Sequence, residues 1–228
     1  MKKGDFVEVE FKGTVAATGE IFDLTSEEEA KKAGIHNPKQ RYGPQLIILG
    51  SGMIVPGVEA ELEKMNVGEE KEFELKPAQA FGARSPKLTK IISLAKFLEK
   101  KINPVPGLFV DIDGRSARIQ SVSGGRVRVD FNHPLAGKDL KYKVKIVKHI
   151  KTPQEKVESL INYYNIRAEV DVKEKTLTVK LKEMTPKFMK ELIEKSLKRW
   201  ITEIKEVKFQ EPPKPEEKPT PIEGEAKV

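Results

Sequence analysis

The sequence predicts an α+β protein: an antiparallel sheet wrapped on one helix, with an inserted small β-rich domain and a C-terminal αββαβ domain. Three observations lead there. Apolar and charged residues alternate strictly near both ends of the first 150 residues, with one apolar helix stripe between them. Glycine-containing hairpin signals crowd into one internal segment, 84–131. Beyond Lys151 the pattern changes to two amphipathic helices around short strands.

Taken in order, Val7, Val9 and Phe11 alternate with Glu8, Glu10 and Lys12, the period of a half-buried strand. Thr18-Gly19 supplies a turn, and Ile21-Phe22 restarts an extended run. The Glu-rich stretch from Ser26 to Lys32 suits a short helix, and Leu46 to Leu49 a brief strand ending at Gly50-Ser51-Gly52. After Pro56-Gly57, the residues Val58, Leu62 and Met65 fall at i, i+4 and i+7, one helix face closed by Gly68. Phe73 and Leu75 alternate with charges in a further strand. Within 84–131, the apolar set Ile91, Ile92, Leu94, Phe97 and Leu98 precedes the breaker run Asn103-Pro104-Val105-Pro106-Gly107. Three short strands follow, separated by Asp113-Gly114 and Gly124-Gly125. The parent sheet resumes at Asn132 and closes with Leu140, Tyr142, Val144 and Ile146. In the last part, Val157, Leu160, Ile161 and Tyr164 mark a helix, Ala168 to Leu181 a hairpin, and Phe188 to Ile201 a second helix. Thr185 is expected to cap that helix with Pro186 in its first turn. A strand near Val207 and Phe209 follows. The expected domains are 1–83 with 132–150, then 84–131, then 151–209, then a Pro/Glu-rich tail at 210–228 too poor in apolar residues to fold.

Composition removes several chemistries. Among 228 residues there is no cysteine, which excludes disulfides, thiolate metal sites and a cysteine nucleophile. His36, His133 and His149 are too scattered for a metal cluster, so no metal and no cofactor are expected. Neither a Walker loop nor a GxGxxG run occurs, and no nucleophile elbow is present. No apolar run is long enough to span a bilayer and no signal-peptide core follows Met1, so a cytoplasmic protein with no membrane partner is expected. A charged fraction of 34%, mostly Lys and Glu, suits a thermophile. The net charge is +7, and the segment 84–131, with ten basic and four acidic residues, holds nearly all of the excess. That segment is either a solvated basic surface or one that meets acidic partners or nucleic acid. Its cations are not interleaved with stacking aromatics, so nucleic acid is not an expected partner.

The fragments Val9-Glu10-Phe11-Lys12-Gly13, Gly19-Glu20-Ile21-Phe22-Asp23, Leu49 to Glu59, Asn66-Val67-Gly68-Glu69 and Ala80-Phe81-Gly82 stand in a definite order over residues 5–82. In that order they resemble the FKBP-type peptidyl-prolyl isomerases. The segment between Gly82 and Asn132, with Asn132-His133-Pro134-Leu135-Ala136-Gly137, resembles the SlyD-type subgroup, in which an insert-in-flap domain replaces a short flap. The appended unit is similar to that of long archaeal members.

The resemblance implies a pocket. Phe11 stands where the family usually has tyrosine, and Phe22-Asp23 match its Phe-Asp pair. Ile54 and Val55 match the two apolar residues whose backbone meets ligand, and Val58 the floor, where many members carry tryptophan. Phe81 matches a tyrosine whose hydroxyl is missing here, Tyr142 an aromatic of the last strand, Leu135 a return-loop residue, and Leu46 a further wall residue. Asp23, Phe81 and Tyr142 are the implied catalytic set. From the residues alone, Phe11, Phe22, Val58 and Tyr142 equally suit an ordinary sheet core, Asp23 a turn cap, and His133 a structural loop residue.

The expected function is X-Pro isomerisation in unfolded, nascent or partly folded polypeptides. Chain capture is expected from the insert through Ile91, Ile92, Leu94, Phe97 and Leu98. The alternative is a proline-peptide-binding module without turnover. The appended unit, small for its apolar final helix, is expected to pair with a second copy as a homodimer.

Overall fold

The computed structural model describes residues 1–173 and 175–212. The tail expected to lack structure lies outside these from residue 213 onward. The chain divides into two compact units, one of Met1–His149 and one beginning at Ile150.

Strand β1 (Phe6–Val15) forms because Val7, Val9 and Val15 can leave water on one side while Glu10 stays out on the other. It lies within a five-stranded sheet with β2 (Ile21–Leu24), β3 (Gln45–Ile48), β4 (Glu70–Leu75) and β9 (Leu140–Ile150). The order is β2-β1-β9-β4, and β3 also pairs with β1. Two strands share one edge of β1: β3 runs antiparallel to Phe6–Val9, and β2 to Lys12–Thr14. Helix α1 (Glu27–Lys32) is short and capped by Ser26, whose Oγ accepts from the Glu29 N–H at 3.3 Å. Helix α2 (Pro56–Leu62) starts on a proline, whose missing N–H is no loss there. It lays Val58 and Leu62 on a core of Val7, Val9, Ile47, Leu75, Tyr142 and Val144.

Residues 89–130 build a second sheet of their own. Its strands are β5 (Thr89–Ser93), β6 (Phe109–Ile112), β7 (Arg115–Ser123) and β8 (Arg126–Asp130), ordered β5-β8-β7-β6. Both hairpin loops have two residues at positive φ, Asp113 with Gly114 and Gly124 with Gly125, the geometry that matches the twist of the flanking strands. The apolar stretch before the breaker run forms edge strand β5 and then helix α3 (Leu94–Glu99), which Ser93 caps. Phe97 from α3 packs with Val110, Ala117, Ile119, Val127 and Val129 as a separate core.

Where the chain enters and leaves this sheet, its two crossings are tied together. Ser85 N–H donates to Asn132 Oδ1 at 2.8 Å, and Asn132 Nδ2 donates back to the Ser85 carbonyl at 3.1 Å. Asp130, 4% exposed, receives Arg84, Gln120 and Asn132.

The second unit contains α4 (Pro153–Tyr163), β10 (Ala168–Lys173), β11 (Thr176–Leu181), α5 (Lys187–Trp200) and β12 (Glu206–Gln210). β11 pairs antiparallel with β10 and parallel with β12, the latter reached through α5. The two threonine caps differ. Thr152 Oγ1 accepts from Glu155 N–H at 3.3 Å at the start of α4. Thr185 instead turns its hydroxyl to the Glu183 carbonyl at 3.2 Å, and α5 begins beyond an extended Pro186. The expected cap is therefore corrected: a local carbonyl captures the hydroxyl before the helix can use it. Among the described residues no helix is long and apolar enough to cross a membrane.

Candidate active site

The alternation of β9 sends Leu140, Tyr142, Val144 and Ile146 to the core side of the first sheet. Register sets Tyr142 opposite Phe73 of β4, and their rings stack at 6.4 Å. From the other side the Phe22 ring meets Tyr142 edge-on at 5.6 Å. Three rings thus form a row, a favourable quadrupole arrangement as well as a large apolar area.

Phe22 can take its place because residue 13 is glycine. A Cβ added there would stand 2.5 Å from Phe22 Cζ. Gly13 lies opposite Asp23 in the β1–β2 register, just before a bulge that ends regular pairing. Phe11, Phe22, Ile54, Val55, Phe81 and Leu135 all pack, half-buried, on the core that contains Val58 and Tyr142. The expected pocket residues come together with two corrections.

Leu46 is not among them. It stands opposite Glu8 in the β1–β3 register and shares that side of the sheet. Its neighbour Ile47, opposite Val7, enters the core instead. Val58, expected at the pocket floor, is fully covered and belongs to the core with Tyr142 rather than to the accessible surface.

Two rings were joined that the sequence leaves apart. Phe81 stacks on His133 with centroids 4.2 Å apart. His133 Nδ1 also accepts the Leu135 N–H at 3.2 Å, which leaves the proton of the neutral imidazole on Nε2. Phe81 itself follows a 3-10 turn, Pro77–Gln79, packed against the start of α2: a Cβ on Gly57 would lie 2.8 Å from the Gln79 carbonyl. Phe73, Gly13 and His133 were not assigned to the site from the sequence, which made Phe73 a strand residue and His133 a loop residue. A glycine inside a strand was the available signal for Gly13; nothing local marks the other two.

The two titratable groups here are both pushed toward neutrality. Asp23 is exposed, yet desolvation by the surrounding protein raises its carboxyl above its ordinary value, and the Leu24 backbone hydrogen bond only partly offsets this. Burial, then the Asp23 charge, pushes the Tyr142 phenol up to about 12. Tyr142 is therefore a hydrogen-bond donor throughout the neutral range. With no thiol or serine in the set, the arrangement suits binding an apolar ring and favouring one amide geometry by polarity rather than by a covalent step. A cleft of about 460 Å³ elsewhere is lined mainly by charged side chains such as Lys12, Glu29 and Lys143, and shares only Phe11 with this set.

The apolar residues expected on the insert also divide. Ile91 and Leu98 are exposed, at 61% and 58%. Phe97 is buried and Ile92 and Leu94 pack on the same core, so these three hold the insert together, Phe97 as a correction to its expected contact with substrate chain. Val105, Leu108 and Phe109, not singled out from the sequence, are also exposed, Phe109 on the opposite edge of the sheet from Ile91.

Comparison with known proteins places the chain in a family. A family described as FKBP-type peptidyl-prolyl cis-trans isomerase matches residues 1–99, and one described as FKBP26, IF domain, matches residues 90–135. A short-type peptidyl-prolyl cis-trans isomerase of Methanocaldococcus jannaschii is 35% identical over 146 residues, covering 64% of this chain and 92% of its own. An FKBP-type 16 kDa peptidyl-prolyl cis-trans isomerase of Escherichia coli is 34% identical over 109 residues, covering 46% and 72%. The FKBP-type isomerase SlyD of Helicobacter pylori is 30% identical over 118 residues, covering 50% and 63%. The chain belongs to the FKBP-type peptidyl-prolyl cis-trans isomerases, a family of enzymes.

Proposed function

We propose that the chain isomerises X-Pro bonds of unfolded or partly folded polypeptides at the Phe22–Tyr142 surface, and that the inserted sheet captures those polypeptides. Rotation about the amide faces a barrier of about 18–20 kcal/mol because resonance must be broken. The twisted amide has less charge separation than the planar one, so an apolar wall favours it. Phe11, Phe22, Ile54, Val55, Phe81 and Leu135 form that wall, with Val58 supporting it from below. Tyr142 and Asp23 supply polarity at its edge. Each tenfold acceleration needs about 1.4 kcal/mol of preferential transition-state binding, within reach of a few such contacts. The observation that carries the reading is the row of Phe22, Tyr142 and Phe73 beside Asp23, an exposed carboxyl near the end of β2 whose pKa is raised.

In this reading residues 84–131 are an insert-in-flap chaperone-like domain hung on an isomerase domain of 1–83 and 132–150. Support comes from the separate sheet and core, and from the exposed Ile91, Leu98 and Phe109. The second unit, 151–209, serves self-association: Phe188 and Leu192 of α5 and the nearby Met184 are exposed at 67%, 44% and 62%.

The test compares proline tetrapeptides with an unfolded protein as substrates, before and after residues 84–131 are replaced by a short loop. Ser85 and Asn132 are hydrogen-bonded, so such a loop can close. Tetrapeptide activity should survive and protein activity collapse. Equal losses would remove the capture role, and no acceleration of either substrate would leave a binding module without turnover.

A further inference from the structure

Register determines what the inserted sheet shows to solvent. Phe109 stands opposite Arg118, Arg118 opposite Asp130, and Asp130 opposite Thr89. Ile91, Arg128 and Ser121 are next in line, two residues along β5 and β8 but three along β7, whose register shifts between Ile119 and Ser121. Then come Ser93, Arg126 and Ser123. With the β7 bulge taking up its extra residue, the two-residue period makes this one face, the one turned away from Phe97 and its core.

The charges on that face are unbalanced. Arg118, Arg126 and Arg128 are exposed, and among the described residues none of them pairs with a carboxylate. Asp130 sits beneath the surface, already engaged by Arg84, Gln120 and Asn132. Asp111, also on this side, accepts the Gly114 N–H at 2.9 Å within its own turn. Arg84, reaching to Asp130, lies between two hollows. One, of about 470 Å³, is lined in part by Ile91 and Arg128. The other, of about 400 Å³, is lined in part by Phe109, Arg118 and Pro134. Each therefore joins one exposed apolar side chain to one arginine outside any ion pair among the described residues, with Arg84 lining both hollows and its partner Asp130 lining the second.

We propose that this face docks acidic segments of unfolded polypeptide, bound extended, with carboxylates two residues apart on Arg118 and Arg128 and an apolar side chain in either hollow. The proposal rests on the capture role proposed above and names the sequence class captured. The spacing fits. Arg118 and Arg128 are diagonal neighbours on adjacent strands across the β7 bulge, a step on the order of 7 Å along β8, and alternate side chains of an extended chain recur at about 6.8 Å. Arginine's planar fork suits carboxylate pairing better than lysine's ammonium does. Pro134, at the second hollow, precedes Leu135 of the candidate site, so a segment docked there lies beside the isomerase surface. Nucleic acid fits less well, because Phe109 is the single aromatic in these rows and offers no run of stacking platforms.

The experiment measures binding of three labelled peptides to the full chain. All are otherwise Gly/Ser, carrying Phe-Glu-Ser-Glu, Phe-Gln-Ser-Gln or Phe-Lys-Ser-Lys. The acidic peptide should bind most tightly, about fivefold to tenfold over the neutral one, and lose that margin in high salt. Arg118→Gln with Arg128→Gln should remove the margin, and Arg118→Glu with Arg128→Glu should transfer it to the lysine peptide. Turnover of a short proline tetrapeptide should not change in either variant. Equal affinity for all three peptides overturns the proposal, as does an acidic preference that survives both double variants. Displacement of the acidic peptide by a single-stranded RNA that binds more tightly also overturns it, in favour of a nucleic-acid surface. Suppression of aggregation of an unfolded protein distinguishes the two readings. If it persists while peptide charge is irrelevant, capture stands and the acidic preference falls; if the wild-type chain suppresses nothing, the capture role falls first.

Discussion

Phe81 lies flat on His133, their planes 1° from parallel, and the same imidazole accepts the backbone N–H of Leu135. One side chain thus positions two members of the candidate site that are 54 residues apart in sequence, from opposite ends of the inserted segment. An aromatic stack of this kind is worth about 0.5–1.5 kcal/mol. His133→Ala should therefore lower kcat/KM for a proline tetrapeptide by up to about tenfold, with unchanged far-UV circular dichroism. His133→Phe restores the stack without the acceptor and should recover part of the loss. Full activity in His133→Ala would show that Phe81 needs no such support.

Gly13→Ala places a methyl where the Phe22 ring now lies. Relief must come from the ring, since the position is held in the sheet on both sides of the bulge. A stability loss of about 1–3 kcal/mol is expected, together with reduced isomerisation. Combining Gly13→Ala with Phe22→Leu should recover stability but not activity, as read by urea unfolding and the peptide assay.

The pH dependence has a definite sign. Asp23 has a raised pKa, so between its ordinary value of 3.8 and its raised folded value the native state holds more protons than the unfolded state. Stability associated with this group is thus full below pH 3.8 and declines as pH rises through the folded value. Asp23→Asn should raise the Tm at pH 7 while lowering isomerisation, and the Tm gain should vanish in acid. Tyr142 behaves likewise at the alkaline end: stability is lost as pH climbs from 10 toward about 12. Tyr142→Phe should flatten that decline in a pH series of thermal melts.

Asp130 is nearly inaccessible and holds Arg84, Gln120 and Asn132 together at the base of the inserted sheet. Asp130→Ala leaves those donors without an acceptor, a loss of about 2–4 kcal/mol. Hydrogen exchange should show the amides of β7 and β8 opening first, with β1 and β9 unaffected.

Phe97 and Phe109 offer a contrast. Phe97→Ser removes the centre of the insert core and should destabilise that sheet by about 3–5 kcal/mol. Phe109→Ser, at a residue 54% exposed, should leave stability within about 0.5 kcal/mol while weakening capture of an unfolded protein. Light scattering during refolding of a model substrate separates the two effects.

Periodicity alone was enough for the elements. A two-residue rhythm in Val7–Phe11 and Leu140–Ile146, a helical one in Val58–Met65 and Phe188–Ile201, and paired turn residues at 113–114 and 124–125 are local properties. Local sterics and burial enforce them wherever the chain goes. Fragment order was enough for the family, and most of the residues it singled out lie on one core. What local rules cannot carry is which strand lies beside which, and in what register. Phe73 looked like any strand residue until β4 set it against Tyr142, and Leu46 like a pocket residue until the β1–β3 register turned it to the side of Glu8. A shift of one residue reverses every side chain in a strand, so face assignment belongs to the pairing rather than to composition. The same holds for Thr185, whose hydroxyl had a nearer carbonyl, and for His133, whose partner arrives from across the insert. Residue types set the available chemistry; long-range pairing decided which residues meet, because their separation along the chain leaves no local trace of the contact.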